Sequence, residues 1–342
     1  MGRGRNSEKG KRWEETNMVA LVGYTGFVGS NLYARARNRI KGVYNSQNIG
    51  RAYGLEPEVL IYAGVRADKY LAESAPERDL EMILEAEKNI REINPQRLVL
   101  ISTIDVYQNP VGVYETDSVL SGGKGAGNGI QPYGLNRYYL EAWVRKNYPD
   151  ALIVRLPGLY GYNIRKNFIY DYIHVIPYML KKEKYLELKV LEKADDAILL
   201  DDCYEAAGRG YYRCRELDKD KKELLKKKFK KLGFTALNFT DSRSVFQFYS
   251  LGRLWEDIQI ALNEGITLLN VATEPVTAAE LYKALTGEVF KNELKGTPAR
   301  YDFRTTYAAK FGGKGDYICS KEEIMAEIRL FAKHMVTEGE RG

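Results

Sequence analysis

Histidine and cysteine are the scarcest reactive side chains in this sequence: 342 residues hold two histidines and three cysteines. His174 and His334 are too few for a zinc site or a Ser-His hydrolase site. Cys203, Cys214 and Cys319 show neither metal-type spacing nor a disulfide framework, so a reducing cytoplasm is expected. No apolar stretch reaches membrane-spanning length and no signal-peptide pattern is present, so no membrane partner is expected. One local absence is equally informative: no acidic residue lies between Ser30 and Leu55.

What the chain does have is a globular composition, with 44% hydrophobic residues and enough length for one large α/β domain and a smaller lobe. Residues 1–17 are polar and basic (Arg3, Arg5, Lys9, Lys11, Arg12) and read as a disordered extension ahead of the first strand, with Met18 as an alternative start. The net charge is +6, concentrated in Lys219–Lys231, where Leu224, Leu225 and Phe229 form a narrow apolar stripe. That is the pattern of a solvated amphipathic helix. With no nucleic-acid module beside it, nucleic acid is not an expected partner.

The most specific local signal is a glycine ladder, Gly23-Tyr24-Thr25-Gly26-Phe27-Val28-Gly29, directly after the apolar run Met18–Val22. A strand, a glycine turn and a helix start make a phosphate cradle. Gly23 permits the sharp exit from the strand, Gly26 lets backbone approach a pyrophosphate, and Gly29 lets the helix pack closely on the strand. The helix from Phe27 to about Arg37 then aims its positive end and free N–H groups at the phosphates, so Thr25, Phe27 and Val28 join the glycines as cofactor candidates.

Strand-like and helix-like segments alternate through the first half, which predicts a doubly wound parallel sheet with helices on both faces, of Rossmann type. The strands are expected at Lys41–Tyr44, Val59–Ala63, Arg97–Ser102 and Ala151–Leu156, and helices at about Pro76–Ile93, ended by Pro95, and Tyr133–Lys146. Leu120–Ile130 holds five glycines and reads as a loop over the site. Residues 18–162 form the dinucleotide-binding domain and 163–342 mostly a smaller substrate lobe, with 245–275 returning to the sheet through strands at Val245–Tyr249 and Thr267–Val271 and a helix at Leu251–Asn263. Thr277-Ala278-Ala279-Glu280 fits a capping box.

Chemistry is expected where the fourth strand ends, at Ser102-Thr103-Ile104-Asp105-Val106-Tyr107, because open α/β sheets bind ligands at their carboxyl edge. Further on, Tyr133 and Arg137 stand one helical turn apart. A strand-end hydroxyl facing a tyrosine with a cation beside it is a proton-transfer arrangement, the cation lowering the tyrosine pKa. Tyrosine alone says little in a chain with 26 of them.

These residues resemble the extended short-chain dehydrogenase/reductases, the NAD-dependent epimerase/dehydratase family that acts largely on nucleotide sugars. The resemblance rests on Gly23-x-x-Gly26-x-x-Gly29, Ser102-Thr103-x-x-Val106-Tyr107, Tyr133-Gly134-x-x-x-Tyr138-x-x-Glu141 and Arg155-Leu156-Pro157-Gly158-Leu159-Tyr160-Gly161. Asn270-Val271 and Val276-x-x-x-Glu280-Leu281 follow in family order, so the match spans roughly residues 18–290. It implies hydride transfer with a nicotinamide cofactor, Tyr133 as acid/base, Thr103 assisting and Arg137 at the ribose. It also implies cofactor contacts from Ala63, Gly64, Ser102, Leu156, Pro157, Gly158 and Leu159, and a homodimer through a helix pair.

The sequence departs from the family at three places. The lysine four residues after the tyrosine is Arg137, whose wider planar fork is not equivalent. The acid that follows the threonine in dehydratases is Ile104, so elimination of water is disfavoured. The asparagine of the preceding helix has no counterpart between Asp79 and Lys88. At the end of the second strand, where an acid selects NAD, the chain has Tyr44-Asn45-Ser46, and Arg35, Arg37, Arg39, Lys41 and Arg51 make the stretch basic. That tilts the cofactor, NAD or NADP, towards NADP, although cations on a solvated helix face give the same pattern.

Substrate-side candidates are Asp105, Asn167, Phe168 and Gln247, and the expected substrate is a nucleotide-linked sugar. No metal is expected. The expected protein is an NAD(P)-dependent oxidoreductase or epimerase; the alternative is a dinucleotide-binding sensor or scaffold of the same fold with little turnover.

Overall fold

The computed structural model describes residues 18–119, 131–193 and 197–341. The basic extension 1–17 and the glycine-rich loop 120–130 lie outside the described residues. The chain divides into two compact units. The first takes the described residues up to Ile164, then Val245–Val276 and Arg300–Glu327; the second takes Arg165–Ser244, Thr277–Ala299 and the chain from Ile328.

The first unit is built on six strands: β1 (Val19–Val22), β2 (Ile40–Tyr44), β3 (Val59–Tyr62), β4 (Leu98–Thr103), β5 (Leu152–Leu156) and β6 (Leu268–Asn270). Their order is β2-β1-β3-β4-β5-β6, and every pairing is parallel. The strands alternate small and β-branched apolar residues that face opposite sides of the sheet. Val19, Leu21, Ile61, Val99 and Val154 enter one core with Leu32 and Ala36 of α1 (Phe27–Ala36). Ala20, Val22, Leu60, Leu100 and Ile153 enter the other, with Ile83, Ile90 and Ile93 of a long helix, Pro76–Ile93, and with Leu140 and Val144 of the helix Pro132–Asn147. Two cores on two faces make the sheet doubly wound, as the alternation predicts. Each fully buried Leu, Ile or Val contributes roughly 1.5–3 kcal/mol.

In chain order the helices flanking the site are α1, α2 (Lys69–Ser74), α3 (Pro76–Ile93), α4 (Pro132–Asn147) and α5 (Leu254–Asn263). Short α2, capped by Asp68 accepting from the Leu71 N–H at 3.0 Å, is not among the expected elements. Asn94 closes α3 in the left-handed region, at φ +52°, its N–H bonded to the Ile90 carbonyl, so the stop comes one residue before Pro95. The strand expected at Val245–Tyr249 is two short ones, Val245–Phe246 and Phe248–Ser250, broken at Gln247. The helix expected from Leu251 opens with a single 3-10 turn, Leu251–Arg253.

Residues 300–327 group with the first unit, whereas the sequence reading left them in the substrate lobe. Buried Glu115 explains the return: it accepts from the Asn270 N–H at 2.9 Å, the Thr305 hydroxyl at 2.5 Å and the Thr306 N–H at 3.1 Å.

The second unit holds a three-stranded antiparallel sheet, ordered Met179–Lys181, Tyr211–Cys214, Tyr204–Gly208. The basic run forms a helix, Lys219–Lys231, that buries Leu225 and Phe229. Lys228 is buried too, its ammonium on Glu192 at 2.5 Å. The Thr277–Glu280 capping box forms, with reciprocal bonds of 3.0 and 2.8 Å. Among the described residues no helix is long and apolar enough to cross a membrane.

Candidate active site

In the first unit the chain steps outward from β1 to β2 and then back across to β3, so the topological switch lies between β1 and β3. The glycine turn sits there. Gly23 has φ +91°, and a Cβ on it would overlap the Ala63 carbonyl and come within 2.8 Å of the Gly64 nitrogen. A Cβ on Gly29 would overlap the Gly23 carbonyl, while one on Gly26 would lie 3.2 Å from it. Gly26 precedes α1 without a side-chain cap, and no acid stands in the first turn. The N–H groups of that turn, with Thr25, Phe27 and Val28, are therefore left for an anion. The structure brings Ala63, Gly64 and the end of β2 to this turn, the Gly23 N–H bonding the Tyr44 carbonyl at 2.7 Å.

Beyond β2, Asn45 and Ser46 lie in a turn closed by side chains. Asn48 Oδ1 accepts from the Asn45 N–H at 2.7 Å, and Asn45 Oδ1 from the Gln47 N–H at 3.0 Å. Among the cations of this stretch, Arg35 pairs with Glu256 at 2.6 Å and Lys41 bonds the Asn38 carbonyl. Arg51 stands exposed on the single turn Ile49–Ala52.

Thr103 ends β4 in register with Leu156 at the end of β5. Its hydroxyl lies 3.1 Å from Asp105 Oδ2 and accepts from the Asp105 N–H at 3.2 Å. Asp105 Oδ2 holds the Lys69 ammonium at 2.8 Å, and the Tyr301 hydroxyl reaches Oδ1 at 3.5 Å. Ile104 is buried, so the position after the threonine faces the core.

Tyr133 begins α4 and is 7% exposed. Two cations bracket its ring. The Arg137 guanidinium stacks on it with Cζ 3.9 Å from the centroid, and the Lys69 Nζ lies 5.7 Å from the same centroid. Arg137 is 5% exposed, and both of its terminal nitrogens bond within the protein. Nη1 forms a short ion pair with fully buried Asp79 and points at the Tyr133 carbonyl at 3.4 Å; Nη2 donates to the Arg66 carbonyl at 2.6 Å. Asn136 donates to the same Asp79 oxygen at 2.9 Å.

Arg137 does pull the Tyr133 pKa down, as expected, but the net shift is upward. Burial pushes the phenol up, Arg137 opposes this, Asp105 adds to the rise, and Lys69 and Asp79 act in opposite directions after them. Desolvation of the phenolate wins because each cation carries its own carboxylate.

Ser102, for which the resemblance implies a cofactor contact, turns its hydroxyl into a buried network, donating to Glu141 at 2.6 Å. Fully buried Glu141 takes Arg155 through Nη2 at 2.6 Å and Nε at 3.0 Å, and Arg155 donates to the Tyr107 hydroxyl at 2.7 Å. Tyr107 in turn meets Asn270 Nδ2 at 3.0 Å. The network locks β4, β5, β6 and α4 beneath the site.

Past β5, Pro157, Gly158 and Leu159 lead into a strand, Gly158–Tyr160, paired in parallel with Phe248–Ser250. Gln247 is 2% exposed. Its amide donates to the Thr273 and Phe303 carbonyls at 2.5 and 2.8 Å and accepts from the Phe303 N–H at 3.0 Å. That makes it a cross-tie. In the second unit Asn167 caps the helix Phe168–His174, accepting from Ile169 and Tyr170, and buried Phe168 packs on Phe290. Lys69, Asp79 and Tyr301 were missed by the sequence reading; no local pattern marks them, since each acquires its role from a residue distant in the chain.

No protein-family model matches the chain, and no curated protein matches it. Solved structures do. The chain is similar to dTDP-4-dehydrorhamnose reductase from Bacillus anthracis, solved in complex with NADP, at 15% identity and a TM-score of 0.57, covering 92% of this chain and 97% of that one. It is similar to UDP-glucose 4-epimerase from Thermotoga maritima with UDP-glucose, at 14% identity and a TM-score of 0.56 over 94% and 99% of the two chains. It is also similar to UDP-glucose 4-epimerase from Thermus thermophilus in complex with NAD, at 15% identity and 0.56 over 93% and 98%. The chain therefore has the fold of these reductases and epimerases, the fold that the family resemblance implied.

Proposed function

We propose that the protein is an NAD(P)-dependent oxidoreductase or epimerase acting on a nucleotide-linked sugar, with Tyr133 as acid/base. The observation that carries this reading is the cradle at the β1/β3 switch, which a β-carbon at Gly23 or Gly29 would fill. It is joined at the same sheet edge by Thr103 and, across Asp105 and Lys69, by Tyr133. The structural neighbours that bind NADP, NAD and UDP-glucose support it. A nicotinamide dinucleotide, when bound, supplies or takes the hydride.

The chain's own residues would do the rest. Gly23–Gly29 and the start of α1 hold the pyrophosphate. Thr103 hydrogen-bonds the substrate oxygen, and Tyr133 gives or removes its proton. Arg137 fixes the Tyr133 ring by stacking on it and stands as the candidate for the ribose. The exposed Arg51 and the absence of any acid between Ser30 and Leu55 favour a 2′-phosphate and hence NADP. Buried Ile104 disfavours dehydration.

The test is a thermal-shift screen with NADPH and NADH, followed by turnover on UDP- and dTDP-linked 4-keto sugars and hexoses. Ligand at a hundredfold its Kd adds about 2.7 kcal/mol of stability. Tyr133→Phe should retain the NADPH shift and lose turnover at least a hundredfold. No shift with either dinucleotide would end this reading.

A further inference from the structure

Thr103 stands half-buried at the end of β4, with one hydroxyl proton and two lone pairs to place. Its oxygen accepts from the Asp105 N–H at 3.2 Å and lies 3.1 Å from Asp105 Oδ2. A carboxylate paired with an ammonium only accepts, so the Thr103 proton points at Asp105. Asp105 is held on both oxygens: the Lys69 ammonium sits on Oδ2 at 2.8 Å, and the Tyr301 hydroxyl reaches Oδ1 at 3.5 Å, with the Tyr301 ring stacked on Phe246. A hydrogen bond to an ionised acceptor is roughly twice as strong as one between neutral groups. A neutral carbonyl therefore does not win the Thr103 proton from Asp105. What Thr103 has left to offer is its second lone pair.

We propose that Asp105 determines specificity: by holding the Thr103 proton it makes Thr103 an acceptor, so that the site selects a sugar hydroxyl over the corresponding carbonyl. The inference rests on the function proposed above and narrows its substrate to the hydroxyl form of a nucleotide sugar. A hydroxyl gives its proton to the free lone pair of Thr103. A carbonyl sets lone pair against lone pair and leaves Thr103 with an unpaired acceptor, which is the kind of mismatch by which a polar site rejects an analogue. Asp105 acts through Thr103, as a positioning residue, and need not touch the substrate.

The experiment uses the full chain and matched probes, UDP- and dTDP-6-deoxyglucose and their 4-keto forms, each pair differing only in the oxidation state of C4. 2′-Phospho-ADP-ribose takes the place of the dinucleotide, so no nicotinamide is present to exchange a hydride, and dissociation constants are read by isothermal titration calorimetry. The parent protein should bind the hydroxy sugar at least about tenfold more tightly than its keto form. Asp105→Ala frees the Thr103 proton and should bring the two within about threefold, chiefly through tighter keto binding. Thr103→Val should lose the preference as well, and adding Asp105→Ala to it should leave the ratio unchanged. Equal loss of affinity for both sugars in Asp105→Ala would mark a merely structural residue and overturn the proposal. So would a ratio that still shifts with Asp105→Ala in the Thr103→Val background, because the released Lys69, and not Thr103, would then be reading the oxygen. Binding of neither form by the parent would end the nucleotide-sugar reading itself, whereas binding of both without a hydroxyl preference would overturn the inference alone.

Discussion

Between Gly23 and Gly29 the candidate site is made of backbone, whereas around Tyr133 it is made of charged side chains. At the glycine end the geometry follows from what is missing: no β-carbon separates Gly23 from Ala63 or Gly29 from Gly23, and no side chain caps α1. At the tyrosine end each cation has its own carboxylate, Arg137 with Asp79 and Lys69 with Asp105, one pair buried and one half open to solvent. A backbone requirement can be met only by glycine and stays where it is in the sequence. A charge requirement can be met by any cation the fold brings near, so it can move to another residue while the site keeps its shape.

The largest effect that would break this comparison is expected at the buried pair. Asp79→Ala leaves Arg137 buried without its carboxylate and should cost about 3–5 kcal/mol in urea unfolding; a loss below about 1 kcal/mol would show that Arg137 finds other partners and that the tyrosine end is not held by charge. Gly29→Ala comes next. Its Cβ must push α1 off the Gly23 carbonyl, an overpacking cost of about 1–3 kcal/mol, and NADPH binding should weaken with it. Gly26→Ala separates folding from binding, because its Cβ would meet only the Gly23 carbonyl, at 3.2 Å. Stability should change by less than about 1 kcal/mol, while NADPH affinity read by fluorescence titration should fall about tenfold or more, which is about 1.4 kcal/mol. The smallest change is expected of Asp79→Leu with Arg137→Met together, since an apolar pair of similar volume replaces a desolvated ion pair at about zero net cost. A double variant no more stable than Asp79→Ala alone would assign the pair a role that packing cannot supply.

The parts of the molecule legible in its sequence were those fixed by local chemistry. The sheet could be read because its strands are apolar runs separated by turns, and the Pro76–Ile93 helix because its apolar residues repeat at helical spacing. The glycine turn could be read because its residues have no substitute. The places of Thr103 at a strand end and Tyr133 at a helix start could be read too. What could not be read was where Arg137 would point, because Asp79 lies on another helix and its acid in a first turn looks like an ordinary dipole partner. Lys69 was hidden for the same reason, its meaning coming from Asp105 beyond an intervening helix and strand. Gln247 looked like a ligand contact because strand periodicity cannot show that all its amide bonds close on backbone.

The pairing of β5 with β6 has a consequence for the order of synthesis. β5 ends at Leu156 and its neighbour begins at Leu268, with the whole of Arg165–Ser244, which belongs to the other unit, between them. On the ribosome the growing sheet therefore waits with β5 as a bare edge, its peptide groups unpaired and open to strand exchange. It waits longer still for Thr305 to reach Glu115. The nascent chain is most exposed to misassembly before the last third of the protein has emerged, and a chaperone that masks strand edges would serve it most during that interval.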